Sequence, residues 1–172
     1  MHIYPLFHIA LPLLVFEIPQ IKNKHKINRF ALILSSLLPD LIDKPLMFLN
    51  LGSGRGYSHT LLFTLIGVLT IFLFSKRNKS ISILFLIGFI SHLLLDLPDV
   101  PFFYPFVSYD FIMPKDPFWE WVKTLLTDPW VISTEAIGIV ILIFVTINNK
   151  LFSIIKIVSY LGISSQSSIK EN

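Results

Sequence analysis

The sequence predicts an all-α fold: a polytopic membrane helical bundle of about five transmembrane segments, with an aromatic-rich outer loop carrying a short interfacial helix. Three observations predict it. The chain has 172 residues, of which 53% are hydrophobic and only 15% charged, against about 25% charged in soluble domains. Its mean hydropathy is +0.71, and the apolar residues form long runs spread along the whole chain. The basic residues cluster between alternate runs, the pattern that orients membrane helices.

The apolar runs are roughly 3–18, 28–50, 58–75, 80–97 and 130–147. The first lacks a preceding basic region and a following A-x-A-like cleavage site, so it reads as a retained membrane segment made irregular by Pro5 and Pro12. In the second, Pro39 is expected to divide the run into two half-helices. The third, "SHTLLFTLIGVLTIFLFS", is the cleanest: 18 residues at ~1.5 Å each reach ~27 Å, close to a bilayer core. The fourth carries His92 and Asp96 in its outer half, and the fifth carries Glu135. Residues 1–163 read as one membrane-embedded domain, and 164–172, "SSQSSIKEN", as a disordered polar tail.

Charge sets the expected orientation. Lys22, Lys24, Lys26 and Arg29 separate the first two runs, Lys76, Arg77 and Lys79 separate the third and fourth, and Lys150, Lys156 and Lys170 follow the fifth. If every run crosses, these regions share the cytoplasmic side, with the N-terminus outside and the C-terminus in the cytoplasm. The opposite side has Arg55 and the stretch 98–129, where Lys115 and Lys123 face Asp99, Asp110, Asp116, Glu120 and Asp128. Tryptophans and other aromatics crowd this outer stretch, as they do at membrane interfaces. Asp116-Pro117 reads as an N-cap and first helical residue, opening a helix over 118–127 that lies on the surface; Asp128-Pro129 repeats the device. The loop either seals helix ends or acts as a lid over a site beneath it.

On this topology the polar residues inside the runs converge. His8, Asp40, Asp43, His59, His92, Asp96 and Glu135 fall at similar depth toward the outer side. Intramembrane ionisable residues mark function by default. Imidazoles with carboxylates suit Zn²⁺, Mn²⁺ or Fe²⁺, with Zn²⁺ and Mn²⁺ foremost. Asp40 and Asp43 are spaced i,i+3, and His92 and Asp96 i,i+4, so each pair can present two ligands to one point. The plainer readings are helix–helix hydrogen bonds for His8 and Glu135, a half-helix cap for Asp40, and a partner for Lys44 or Arg55 in Asp43. His2 and His25 read as solvated. In "GSGRGYSHT" (52–60) the glycines permit positive φ, and Arg55 can clamp an anion beside a metal or snorkel to headgroups.

"LLPDLID" (37–43), "RGYSHTLL" (55–62) and "GFISHLLLDLP" (88–98), in this order between apolar runs, resemble the YdjM-like family. These are membrane-bound metal-dependent hydrolases, also described as LexA-binding inner-membrane proteins. The resemblance covers about residues 5–106. Asp40 matches the acid of the family's Pro-Asp motif, His59 the histidine after Arg-Gly, and His92 and Asp96 the following His-x-x-x-Asp; His8 fits its N-terminal histidine. Two departures stand out: Gly54 takes the place of a histidine common before Arg-Gly, and Ile42 adds a residue before Asp43.

The resulting expectation is a membrane hydrolase. A divalent metal ion would be held by Asp40, His59, His92 and Asp96, with His8 as a further candidate ligand. Asp43 or Glu135 would act as general base, and Arg55 would bind an anionic group. Membrane lipids are the expected surroundings, and a lipid or lipid-linked phosphate or ester the expected substrate. The competing readings are an ion or proton carrier and a structural protein whose polar residues glue helices. The chain has no cysteine, which excludes thiolate chemistry and disulfides. Nucleic-acid binding is not expected, because topology accounts for the basic clusters. A LexA contact rests on the family name alone; the short basic loops give it no support.

Overall fold

A computed structural model describes residues 3–23, 27–113 and 115–163. His2, His25, Lys24, Lys26 and the tail 164–172 lie outside the described residues. Among those described, the regular elements are all helical: α1 (Pro5–Phe16), α2 (Pro19–Lys22), α3 (Arg29–Phe48), a 3-10 turn (Tyr57–His59), α4 (Leu61–Phe74), α5 (Lys79–Leu95), α6 (Pro117–Thr127), α7 (Pro129–Asn148) and α8 (Ile154–Leu161).

Among the described residues, only α7 is long and apolar enough to cross a membrane by itself, with 20 residues and mean hydropathy 2.3. α1, α4 and α5 are apolar but shorter, at 12, 14 and 17 residues. The third run is shortened because Ser58 and His59 enter the 3-10 turn and the Thr60 hydroxyl caps α4, accepting from the Phe63 amide. α4 still buries just Thr64; Leu65, Leu69 and Phe74 on α4, like Val140 and Ile147 on α7, are exposed. Such apolar outer faces suit lipid rather than water.

The expected break at Pro39 does not occur. α3 runs unbroken from Arg29 to Phe48 with Pro39 and Pro45 inside it. A proline deprives the preceding turn of a donor and crowds its carbonyls. Here partners outside α3 bond to that region: the Ser36 carbonyl accepts from His92 Nδ1 at 2.7 Å, and the Pro39 carbonyl accepts from Ser58 Oγ at 2.9 Å. Tertiary hydrogen bonds thus help hold a turn that would be a weak point in isolation.

α3 packs along α5, with α1 against α3 and α7 and with α4 on the far side of α5. Gly88 permits the α3–α5 approach. A Cβ there would sit 2.1 Å from Ser35 Oγ and 2.5 Å from the Leu32 carbonyl oxygen. One apolar cluster gathers Leu13, Phe16, Ile27, Leu32 and Leu84; a second gathers Phe85, Phe89 and Leu93.

The end of α1 opposite His8 is tied by Glu17. Its buried carboxylate accepts from Lys22 Nζ (2.6 Å), Arg29 (3.2 Å), Asn149 (2.9 Å) and the Tyr160 hydroxyl (2.8 Å). Arg29 also lies 4.2 Å over the Tyr160 ring. Burial, and then the bond to Glu17, push the Tyr160 phenol above its ordinary pKa. α8 is thereby anchored to α1, α3 and the end of α7.

Candidate metal centre

Four side chains from three elements meet in the buried interior. Asp40 comes from the middle of α3, His59 from the 3-10 turn, His92 from α5 and Asp96 from the C-cap of α5. Each residue offers one ligand atom, and the four atoms lie within 4.8 Å of one another. His59 Nε2 is 3.5 Å from Asp40 Oδ1, 3.5 Å from Asp96 Oδ2 and 3.1 Å from His92 Nε2. His92 Nε2 is 3.6 Å from Asp96 Oδ2 and 4.0 Å from Asp40 Oδ1. A tetrahedral ion with ligands at about 2.0–2.2 Å has edges of about 3.3–3.6 Å. Three of the five distances fall in this range; His59–His92 is shorter at 3.1 Å and His92–Asp40 longer at 4.0 Å.

The donor chemistry agrees. His92 Nδ1 faces a carbonyl, so it carries the proton and leaves the Nε2 lone pair pointing at the group. His59 Nδ1 faces the Asp43 carboxylate at 2.7 Å, which orients its Nε2 the same way. Two imidazole nitrogens and two carboxylate oxygens therefore converge. Asp40 Oδ1 is buried without a hydrogen-bond partner. An acceptor-rich point of this kind is costly unless a cation neutralises it.

Two cations flank the group. Arg55 grips Asp96 with both arms of its fork, Nε to Oδ2 at 3.1 Å and Nη2 to Oδ1 at 2.7 Å, and reaches the exposed Asp99 at 3.4 Å. Lys44 Nζ is 3.6 Å from Asp40 Oδ1. Gly54, with φ +82°, makes the turn ahead of Arg55, so a backbone conformation suited to glycine helps set where the guanidinium lies.

The remaining expected site residues are placed as follows. His8 stacks on His92, with ring centroids 4.1 Å apart, and its Nε2 is 3.6 Å from Asp96 Oδ1. Both of its ring nitrogens are buried without a hydrogen bond. Asp43 lies one turn from Asp40 but outside the four-ligand group; it holds His59 Nδ1 and the Gly56 amide, each at 2.7 Å. Glu135 is half-buried on α7 and accepts from the Phe7 amide at 3.1 Å, the helix-to-helix bond that was its plainer reading. Lys44, offered in the sequence as a partner for Asp43, pairs with Asp40, and the Ser36 carbonyl went unassigned. The i,i+4 spacing of Asp40 and Lys44 was the available signal for one; a carbonyl leaves none.

A cavity of about 540 Å³ adjoins the group through Lys44 and Arg55, which line it. α6 forms one wall with Glu120, Trp121 and Thr124. It is docked by the Tyr4 hydroxyl, which donates to the Trp121 carbonyl at 2.7 Å, and by ring contacts of Tyr4 and Phe48 with Trp121. The helix expected over 118–127 is present, at Pro117–Thr127. Asp116 sits at its N-cap without a side-chain cap bond, whereas Asp128 caps α7 by accepting from the Trp130 and Val131 amides.

A family model described as YdjM inner membrane protein matches residues 4–168. No curated protein and no solved structure matches the chain.

Proposed function

Because the chain belongs to the YdjM inner membrane protein family, and is by that membership a membrane protein, we propose that it is a metal-dependent hydrolase acting on a lipid or lipid-linked phosphate or ester. The observation that carries this reading is the buried Asp40–His59–His92–Asp96 group, its ligand atoms within 4.8 Å of one another and rich in acceptors, beside an open cavity. Asp40, His59, His92 and Asp96 would hold a divalent ion there, with Zn²⁺ or Mn²⁺ foremost, which would supply an activated water and Lewis acidity toward the scissile group.

The chain's own residues do the rest. Asp43 and the Ser36 carbonyl fix the tautomer and direction of His59 and His92, the arrangement that tightens metal sites. Arg55 holds Asp96 in place and, from the cavity floor, meets the anionic group of the substrate. Lys44 does the same beside Asp40. Asp43 thus acts as a positioning residue rather than as the base, and Glu135 braces α1 against α7. His8 packs on His92 and offers a further ligand atom or proton acceptor on the Asp96 side.

Metal analysis of the purified protein, followed by a hydrolysis screen on phosphate and ester lipids, tests the reading. The expected result is bound metal in the wild type, with both metal and hydrolysis lost in His92→Ala. A wild type that takes up no metal overturns the proposal, as does unchanged metal content in His92→Ala.

A further inference from the structure

The end of the bundle opposite the metal group carries an excess of positive charge. α3 and α5 run parallel, since Gly88 meets Leu32 and His92 meets Ser36. Lys76, Arg77 and Lys79, which lead into α5, therefore stand at the Arg29 end of α3. Asn149 and Tyr160 both bond Glu17, so Lys150 and Lys156 stand at this end too. These five cations are exposed, and none forms an ion pair among the described residues. Among the described residues the acid of this end is Glu17, which is buried and already held by Lys22 and Arg29. The other described acids are those of the metal group, Asp43, those within 98–128, and Glu135 in the first half of α7.

α8 adds an apolar anchor to this charge. Lys150, at φ 51°, turns the chain out of α7. The far end of α8 is pinned to the bundle by the Tyr160 hydroxyl on Glu17 and by Arg29 over the Tyr160 ring. Its near end is uncovered: Phe152, Ile154 and Ile155 are 73%, 79% and 82% exposed. Lys150 and Lys156 bracket these three in sequence. Such an apolar cluster marks a surface that meets a partner. Apolar side chains flanked by lysine suit the lipid interface, where the lysine stems lie along the acyl boundary and the ammonium groups reach the headgroups.

We infer that this end of the molecule binds an anionic phospholipid surface, with Phe152, Ile154 and Ile155 entering the leaflet and the five exposed cations facing its acidic headgroups. Charge chooses the lipid. Basic segments beside membrane helices are drawn to acidic headgroups, whereas a zwitterionic surface offers them no net charge. Charge also argues against a second copy on this face, because like charges would meet. The inference depends on neither the metal nor the hydrolase reading.

The chain has no cysteine, so Ile155→Cys takes a single environment-sensitive NBD label. The labelled full chain is reconstituted into nanodiscs of equimolar phosphatidylcholine and phosphatidylglycerol, and into discs of phosphatidylcholine alone. In the anionic discs a doxyl group on the acyl chains should quench the label, and aqueous iodide should not. In the phosphatidylcholine discs iodide should gain access. Lys150→Gln combined with Lys156→Gln should weaken insertion about 30-fold, the loss expected for two charges at an anionic surface, and expose the label to iodide. Both lysines are exposed, and a label at Ile154→Cys repeats the measurement at a second position. Iodide quenching in the anionic discs overturns the inference, because the face is then in water. Protection from both quenchers overturns it too, because protein then covers the face. Doxyl quenching that persists unchanged in the phosphatidylcholine discs, or in the double variant, overturns the choice of an anionic lipid.

Discussion

His59 illustrates what a single side chain contributes to the centre. It stands in a short 3-10 turn, carries no helical spacing to announce it, and yet contacts Asp40, Asp43, His92 and Asp96 at once. Its direction is set by Asp43, which the sequence offered as a general base and the geometry makes an orienting partner. Asp43→Asn keeps the shape but weakens the bond to Nδ1. Metal affinity should fall about 10–100-fold, as for other residues that orient metal ligands, measured by competition with a chelator. An affinity equal to wild type would remove Asp43 from the site. The i,i+4 pair His92 and Asp96 was legible because helical spacing alone puts them on one face. The turn toward Asp43 was not, since sixteen positions separate it from His59.

At the scale of elements, the centre depends on how closely α3 and α5 approach. Asp40 and the Ser36 carbonyl lie on α3, and His92 lies one turn beyond Gly88 on α5. Gly88→Ala puts a methyl group against backbone as well as side chain, so the helices must separate. The expected cost is about 1–3 kcal/mol, typical of overpacking, read as a lower Tm in detergent together with weaker metal retention. An unchanged Tm with unchanged metal binding would show that the gap between the helices does not govern the site. The continuity of α3 belongs to this scale too. A proline in the middle of a run argues for a break, and the sequence could not reveal that Ser58 and His92 would bond to carbonyls beside it.

For the molecule as a whole, two polar knots occupy the two ends of α1. His8 stacks on His92 beside Asp96, and Glu17 binds Lys22, Arg29, Asn149 and Tyr160. We propose from the charge pattern of the loops that the first end lies on the outer side and the second in the cytoplasm. The absence of cysteine makes the test direct. In intact cells, a membrane-impermeant maleimide should label Ser108→Cys, whereas Arg77→Cys should label only after permeabilisation. The opposite pattern would invert the orientation and place the cavity at the cytoplasmic face.

Composition and spacing by themselves determined that the chain is helical and apolar, where α1 and α3 to α7 lie to within a few residues though not the short α2 and α8, and which acids and histidines are out of place in lipid. These are local properties, set by hydropathy, proline and capping chemistry. Only the tertiary structure decided which of those residues share a point. Asp40, His59, His92 and Asp96 meet because α3 and α5 touch at a glycine and a turn folds His59 between them. Asp43 and Glu135, offered in sequence as general bases, bond to His59 and to the Phe7 amide. A buried carboxylate takes the nearest donor that satisfies it, and that donor is fixed by packing across the chain rather than by its neighbours along it.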